Sequence, residues 1–239
     1  MVIQRIHPDA APPDAIRLTE SEAFLVQRQF LWDYSPKSDV WAIRIGPALT
    51  GGTAAATGLI INNLYRRFLR LGHQGRFASY APVTVASGLA AAGLHYFLVM
   101  KDIVLEKPYC VVCLETRSTS LQVAAGFLYP LILCPFSALR LAHGYQTYPV
   151  PRMWDDWGEV TRLWKKFSRP SIPLFTFLFF ANAIVGLSLP YFQAKNMEKV
   201  AETTQKVVER FDQRLADATL APSKEPRLLR ESKRYVPSS

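Results

Sequence analysis

Charged residues along this chain come in blocks separated by long gaps. Four stretches contain no Asp, Glu, Lys or Arg: 45–65, 77–100, 118–139 and 170–194. Each has the ~20 residues a helix needs to cross the hydrocarbon of a bilayer. The pattern predicts an all-α integral membrane protein, a four-helix transmembrane bundle with amphipathic flanking helices. The domain plan is then an N-terminal extramembrane segment with a short helix (1–44), the four-span domain (45–194), and an amphipathic C-terminal helix with a disordered tail (195–239).

The spans differ in texture. In the first, Ala48, Gly52 and Ala56 recur every fourth residue, as do Ala54 and Gly58; in the second, Gly88 and Ala92 repeat the spacing, with Ala86 and Ala90 beside them. Small residues at that interval let two helices approach closely where lipid supplies no hydrophobic drive, so the two spans are expected to form an antiparallel hairpin. Gly52, Gly58, Ala92 and Pro130 are the residues expected to carry packing. Pro130 and Pro135 lie inside the third span, where each removes a backbone donor and should kink the helix. Pro170 and Pro173 open the fourth, a position proline tolerates, and Pro190 is expected to end it.

Outside the spans the periodicity turns amphipathic. Thr19 with Glu22 three positions on is a capping-box signature, predicting a helix over 20–32 with Ala23, Val26 and Phe30 on one side. Met153, Trp157, Val160, Trp164 and Phe167 fall at helical spacing opposite charged residues, which reads as a helix over 153–168 lying in the interface plane. A helix packed on a partner would show the same stripe. All five tryptophans avoid the charge-free stretches, as an aromatic belt at headgroup depth requires. Met197, Val200, Val207, Val208, Phe211 and Leu215 form a further stripe before Pro222. The faces around Trp157 and Phe211 are candidate partner surfaces.

Charge sharpens the topology. The chain carries 28 Lys+Arg against 19 Asp+Glu, but they are spread between spans, so the excess indicates no nucleic-acid surface. Loops 66–76 and 140–169 hold ten Lys+Arg and three acids, and the positive-inside rule puts them on the cytoplasmic or matrix side. Ten basic residues in the C-terminal segment argue the other way. No secretory signal opens the chain, and six acids against five Lys+Arg in residues 1–44 speak against a cleavable presequence.

Little in the chain suggests chemistry. The strongly polar groups of the spans include His95, Asn62, Asn63, Gln122 and Asn182 but no Asp, Glu, Lys or Arg, and His95 is expected to be an interhelical hydrogen-bonder. Neither an ion path nor a proton relay follows. Nucleotide, Ser-His-Asp and metalloprotease patterns are missing. Cys110 and Cys113 form the sharpest local feature. A C-x-x-C pair at a helix start, with Arg117 near, could have a depressed thiol pKa and serve a thiol oxidoreductase. Four-helix membrane enzymes related to vitamin K epoxide reductase do carry such a pair, but they relay electrons through a second one, and here the third cysteine, Cys134, has no mate. A structural disulfide and two reduced thiols remain open beside the redox reading; zinc lacks its other ligands. No enzyme activity, cofactor, metal or small-molecule substrate is expected.

Several pieces in order resemble the transmembrane protein 126 family of the mitochondrial inner membrane: Asn62-Asn63-Leu64-Tyr65-Arg66-Arg67, then Cys110-x-x-Cys113-x-x-Thr116-Arg117-Ser118, then Gly126-x-Leu128-Tyr129-Pro130, then Tyr145-Gln146. The likeness is strongest over residues 45–150. It implies a multi-pass protein of the mitochondrial inner membrane that acts as a non-enzymatic, chaperone-like factor in building respiratory complex I. Its implied partners are other complex I assembly factors and newly made membrane subunits, within the lipid bilayer. On that reading loops 66–76 and 140–169 face the matrix. The competing expectations are a thiol oxidoreductase using Cys110 and Cys113, and a permanent structural subunit of a respiratory complex.

Overall fold

The structure, a computed structural model, describes residues 18–108, 110–150 and 157–220, and among these it is helical with no strand. Helix α1 spans Glu20–Asp33, α2 Trp41–Phe68, α3 Arg76–Val104, α4 Val111–Tyr145, α5 Trp157–Ser168 and α6 Ile172–Leu220. The described residues up to Lys199 form one compact unit, and those from Val200 belong to a second.

Four long helices run up and down. Gly51 of α2 meets Gly88 of α3, and Gly58 meets Val83 and Ser87, so the partner number falls as the α2 number rises, as in an antiparallel hairpin. Gln122 of α4 reaches Thr50, and Cys134 reaches Gly58, so α4 runs parallel to α2. Asn182 of α6 bonds Thr57 while Gln193 bonds Ala42, so α6 runs antiparallel to α2. The expected all-α bundle is present.

Three helical runs, Arg76–Val104, Val111–Tyr145 and Gly158–Asp217, are long and apolar enough to cross a membrane. The first of the four expected spans, set apart in the sequence by its small residues, is not among them. Helix α2 has the length, but Thr50, Gly51, Gly52, Thr53, Thr57 and Gly58 dilute its hydropathy. All of these except Gly52 touch α3, α4 or α6, so much of the α2 surface needs compatibility with protein rather than with lipid.

Of the two small-residue series expected on α2, only Ala54 with Gly58 lies in the hairpin contact. Ala48, Gly52 and Ala56 face outward, and a Cβ added at Gly52 would meet nothing within 4 Å. The seam is instead Gly51, Ala54 and Gly58, spaced three and four apart as one helix face requires. A Cβ at Gly51 would lie 2.9 Å from the Gly88 carbonyl and 3.1 Å from the Ala92 Cβ; at Gly58 it would lie 3.1 Å from the Val83 carbonyl. Gly58 and Ala92 are therefore in the seam and Gly52 is not.

Proline perturbs these helices without ending them. Stretches Ala81–Val85 and Ala124–Leu128 widen to π-type hydrogen bonding, the first containing Pro82 and the second directly preceding Tyr129-Pro130. A residue without an N–H is accommodated in such a turn because the ladder is already displaced there. Pro190 was expected to terminate the last span, yet α6 continues through it to Leu220. One lost backbone bond is outweighed by more than four helical turns on either side. The C-terminal stripe expected as a separate helix is thus the far part of α6. Within the second unit Val207, Val208, Phe211 and Leu215 are exposed.

The flanking helices pack inward. Helix α1 has the predicted capping box, with Glu22 N–H donating to Thr19 Oγ1 and Thr19 N–H to Glu22 Oε2 at 2.9 Å. Its buried face is Phe24, Gln27 and Leu31 rather than Ala23, Val26 and Phe30, because Phe24 docks edge-on to Tyr96 of α3 at 5.2 Å. Residues 153–156 of the expected interfacial helix lie outside the described residues. In the remainder, α5, the apolar stripe points into the protein: Val160 is buried in the main core, with Leu163, Trp164 and Phe167 packed against it. Phe167 stacks on Phe68 at 5.3 Å.

Candidate functional site

The Asn62–Arg66 end of α2 is the most heavily constrained part of the bundle. Asn62 and Arg66 lie one turn apart and so share a face. Both are buried, Arg66 being only 4% exposed. Among the described residues no carboxylate pairs with its guanidinium; oxygens of the chain do so instead. Nη1 donates to Ser79 Oγ at 2.7 Å and to the Gly75 carbonyl at 3.4 Å, and Nη2 to the carbonyls of Gln74 at 2.7 Å and Gly72 at 3.0 Å. The Tyr80 ring lies 5.5 Å from Cζ. Asn62 Nδ2 donates to the same Ser79 hydroxyl at 3.3 Å, and Tyr80 donates to Asn63.

This network shapes the α2–α3 loop. Its three carbonyls converge because Arg70, Gly72 and Gly75 take left-handed conformations, with φ of 53°, 51° and 58°. At Gly75 a side chain would be strained by conformation and crowded by Leu141, whose Cδ2 would lie 2.9 Å from a Cβ. The planar five-donor guanidinium fits such a converging set, which an ammonium would meet as a point charge. Tyr65, on an adjoining face, pins α5: its hydroxyl lies 2.7 Å from Ser168 Oγ and accepts from Trp164 Nε1 at 2.9 Å. Arg67 is exposed.

The opposite end is open and charged. Cys110 is the N-cap residue of α4 in extended conformation, and Cys113 lies in the first turn; both thiols are free and exposed. The amide of Cys113, then its thiol and the amide of Val112, hold the Cys110 thiol below its ordinary pKa. Arg117, expected to assist, is instead bound to Asp102 Oδ2 at 2.6 Å. Asp102 also pairs with Lys107 at 3.3 Å, and Lys107 with Glu20 at 3.0 Å. These pairs join α1, α3 and α4 through solvent-exposed contacts. Ser118, in the same sequence motif, is buried, and its hydroxyl has no hydrogen-bond partner.

Between the two ends runs a spine of amides and hydroxyls. Gln122 Nε2 reaches the Thr50 carbonyl, Thr53 Oγ1 and Asn182 Oδ1 at 3.2, 3.0 and 3.0 Å; Asn182 Nδ2 donates to Thr57 Oγ1 at 2.8 Å. Gly126 makes room for the cluster, since a Cβ there would collide with Asn182 Oδ1. Further along, His95 Nε2 and Gln193 Oε1 are 3.1 Å apart, the interhelical role expected of His95. Asn196 Oδ1 accepts from the Ala42 amide at 2.9 Å and so satisfies an orphan donor at the start of α2.

The remaining predicted residues fall in different places. Pro130 is buried, while Tyr129 stays partly exposed and donates to the Pro82 carbonyl at 3.1 Å, tying α4 to the π-type turn of α3. Trp157 begins α5, but its side chain lies outside the described residues. Phe211 is 62% exposed. Sequence reasoning missed the burial of Arg66 and the capping by Asn196. For Arg66 a signal existed: an Asn and an Arg one turn apart, followed by a short loop with two glycines and no acid.

These features define a multi-pass helical membrane protein with a polar bundle interior and an arginine-organised loop. The family described as Transmembrane protein 126 matches residues 24–207; the chain belongs to that family. Transmembrane protein 126 of Drosophila melanogaster is 35% identical over 190 residues, covering 79% of this chain and 85% of that protein. Transmembrane protein 126A of Rattus norvegicus is 33% identical over 135 residues, or 56% of this chain and 66% of the relative, and the Mus musculus protein of the same name gives the same figures. No solved structure matches the chain.

Proposed function

We propose that this protein is a non-enzymatic assembly factor or scaffold for the membrane arm of mitochondrial respiratory complex I, held in the inner membrane by four crossings. Membership of the Transmembrane protein 126 family carries this reading. In this chain the motif residues build a structure rather than a reaction centre. Arg66 and Asn62 organise a loop, Gly126 admits the Gln122–Asn182 contact, and Tyr129 ties two helices. The outward faces supply a means of holding a client. Val85, Leu89 and Phe97 on α3, and Phe177, Phe180 and Ile184 on α6, are exposed and suited to covering helices of a subunit that has yet to find its neighbours.

The basic loops 66–76 and 140–169 are proposed to face the matrix, with the α3–α4 loop and both termini on the other side. The partners are then newly made complex I membrane subunits within the bilayer and other assembly factors at its surfaces, the exposed stripe around Phe211 being the candidate site for the latter.

Depletion of the protein tests the reading. Loss of mature complex I with accumulation of membrane-arm intermediates on native gels is the expected outcome, with the protein co-migrating with the intermediates. Equal amounts of protein in the mature complex would instead identify a permanent subunit. The exposed, unbridged Cys110 and Cys113 favour the thiol oxidoreductase as second reading. It requires that Cys110→Ser abolish function in a correctly folded protein.

A further inference from the structure

Near the α5 end of the bundle an open cleft of about 100 Å³ lies between two helices. One wall is Ile132, Pro135, Phe136 and Leu139 of α4; the other is Val160, Thr161 and Trp164 of α5. Among the described lining residues Thr161 supplies the only side-chain oxygen, so this lining suits a hydrocarbon. Ile132 is 55% exposed on a helix apolar enough to span the membrane, which places the mouth of the cleft where lipid is the solvent. Trp164 is fixed by its bond to Tyr65, so the cleft is held open by a rigid element rather than by a loop.

Both walls continue into a cation. Arg140 follows Phe136 by four residues on α4, and Lys165 follows Thr161 by four on α5, so each lies on the same face as a cleft residue one helical turn further on. Both are exposed, and among the described residues neither takes part in an ion pair, whereas nearby Arg162 is bound to Glu159 at 2.7 Å. Helix α4 runs toward the polar α4–α5 connection as it passes Arg140, so this charge stands at headgroup depth above an apolar slot. A zwitterionic lipid would fill the slot but bring its own cation to the rim. An anionic lipid fills it and leaves a net negative headgroup for the two side chains.

We propose that this cleft seats an acyl chain of an anionic phospholipid, whose headgroup phosphate is held by Arg140 and Lys165. The proposal is independent of any role in complex I. The test uses the full chain purified in detergent and exposed to mixed micelles of phosphatidylglycerol and phosphatidylcholine, with retained lipid identified by native mass spectrometry. Phosphatidylglycerol should be retained about thirtyfold in preference, each basic residue near a headgroup contributing about a factor of five. Arg140→Gln with Lys165→Gln should abolish the preference while lipid is still retained, and Thr161→Trp should reduce the amount retained by obstructing the slot. Lys206→Gln with Arg210→Gln removes equal charge elsewhere and should change neither. Melting curves would confirm that each variant is folded, which is expected because all substituted side chains are exposed. Equal retention of the two lipids by the unaltered protein would overturn the proposal. So would an equal loss of preference in the control pair, or full retention in folded Thr161→Trp.

Discussion

At the α2–α3 loop the guanidinium of Arg66 is buried and meets four oxygens of its own chain, whereas at the α3–α4 loop Asp102, Lys107, Arg117 and Glu20 form ion pairs in reach of water. Both ends use charge to hold connections together, but the consequences differ. A buried guanidinium robbed of its acceptors bears a desolvation cost, while exposed partners are rehydrated at little loss. The first end is therefore a fixed structural joint, and the second tolerates change and leaves two thiols accessible. A family motif can thus be present for either reason, and only the surroundings of each residue tell which.

The contrast is most sharply tested by removing Arg66. Arg66→Met should destabilise the protein by about 2–3 kcal/mol, since hydrogen bonds to a charged group vanish and the buried Ser79 hydroxyl loses a partner, while the carbonyls of exposed Gly72 and Gln74 can be rehydrated; Arg66→Lys should recover only part of this. Thermal unfolding in detergent would show it, and a melting point unchanged from the parent would refute the joint. Gly126→Ala comes next. Its Cβ would collide with Asn182 Oδ1, for an overpacking cost of about 1–3 kcal/mol measured the same way. Asn182→Ala, which loses side-chain bonds between helices, should cost about 1 kcal/mol, near the usual value for such bonds in membranes.

At the open end effects should be small and pH-dependent. The bond to Lys107 and its charge, followed by those of Lys101, hold the Glu20 carboxyl below its ordinary pKa. Its contribution is therefore present above the ordinary carboxylate pKa and is lost as pH falls through the lowered folded value. Amide exchange in α1 should accelerate in that acidic range, and Glu20→Gln should weaken the dependence without abolishing it, because the bonds from Thr19 also hold the Glu22 carboxyl below its ordinary pKa, while global melting stays unchanged. Finally, Cys110 should alkylate faster than Cys113 near neutral pH. Arg117→Gln should leave the Cys110 rate nearly unaltered, because Arg117 is committed to Asp102; a marked slowing would show that the cation serves the thiol after all.

Much of this was legible in the order of residues. The helical class followed from charge-free length, and the α1 start followed from Thr19 and Glu22, since a capping box is a contact between neighbours in sequence. The helix stop expected at Pro190 failed because local preference was overruled by the long helical segments on both sides. The small-residue seam was legible in kind but only partly in register. Gly52 and Gly51 differ by 100° of helix rotation, and only the approach of α3 selects between them.

Sequence alone determined which segments prefer a membrane, where the chain turns, and which family it belongs to, because these depend on residue type and near neighbours. Tertiary structure decided that Arg66 is a buried joint and Arg117 an exposed ion pair, though both are arginines of the shared motifs. It also decided that α5 turns its apolar stripe toward the core and that Asn182 meets Gln122. The physical reason is that burial and hydrogen-bond satisfaction depend on groups distant along the chain, such as Thr57 with Asn182 or Tyr65 with Trp164, whose meeting is settled only when the helices pack.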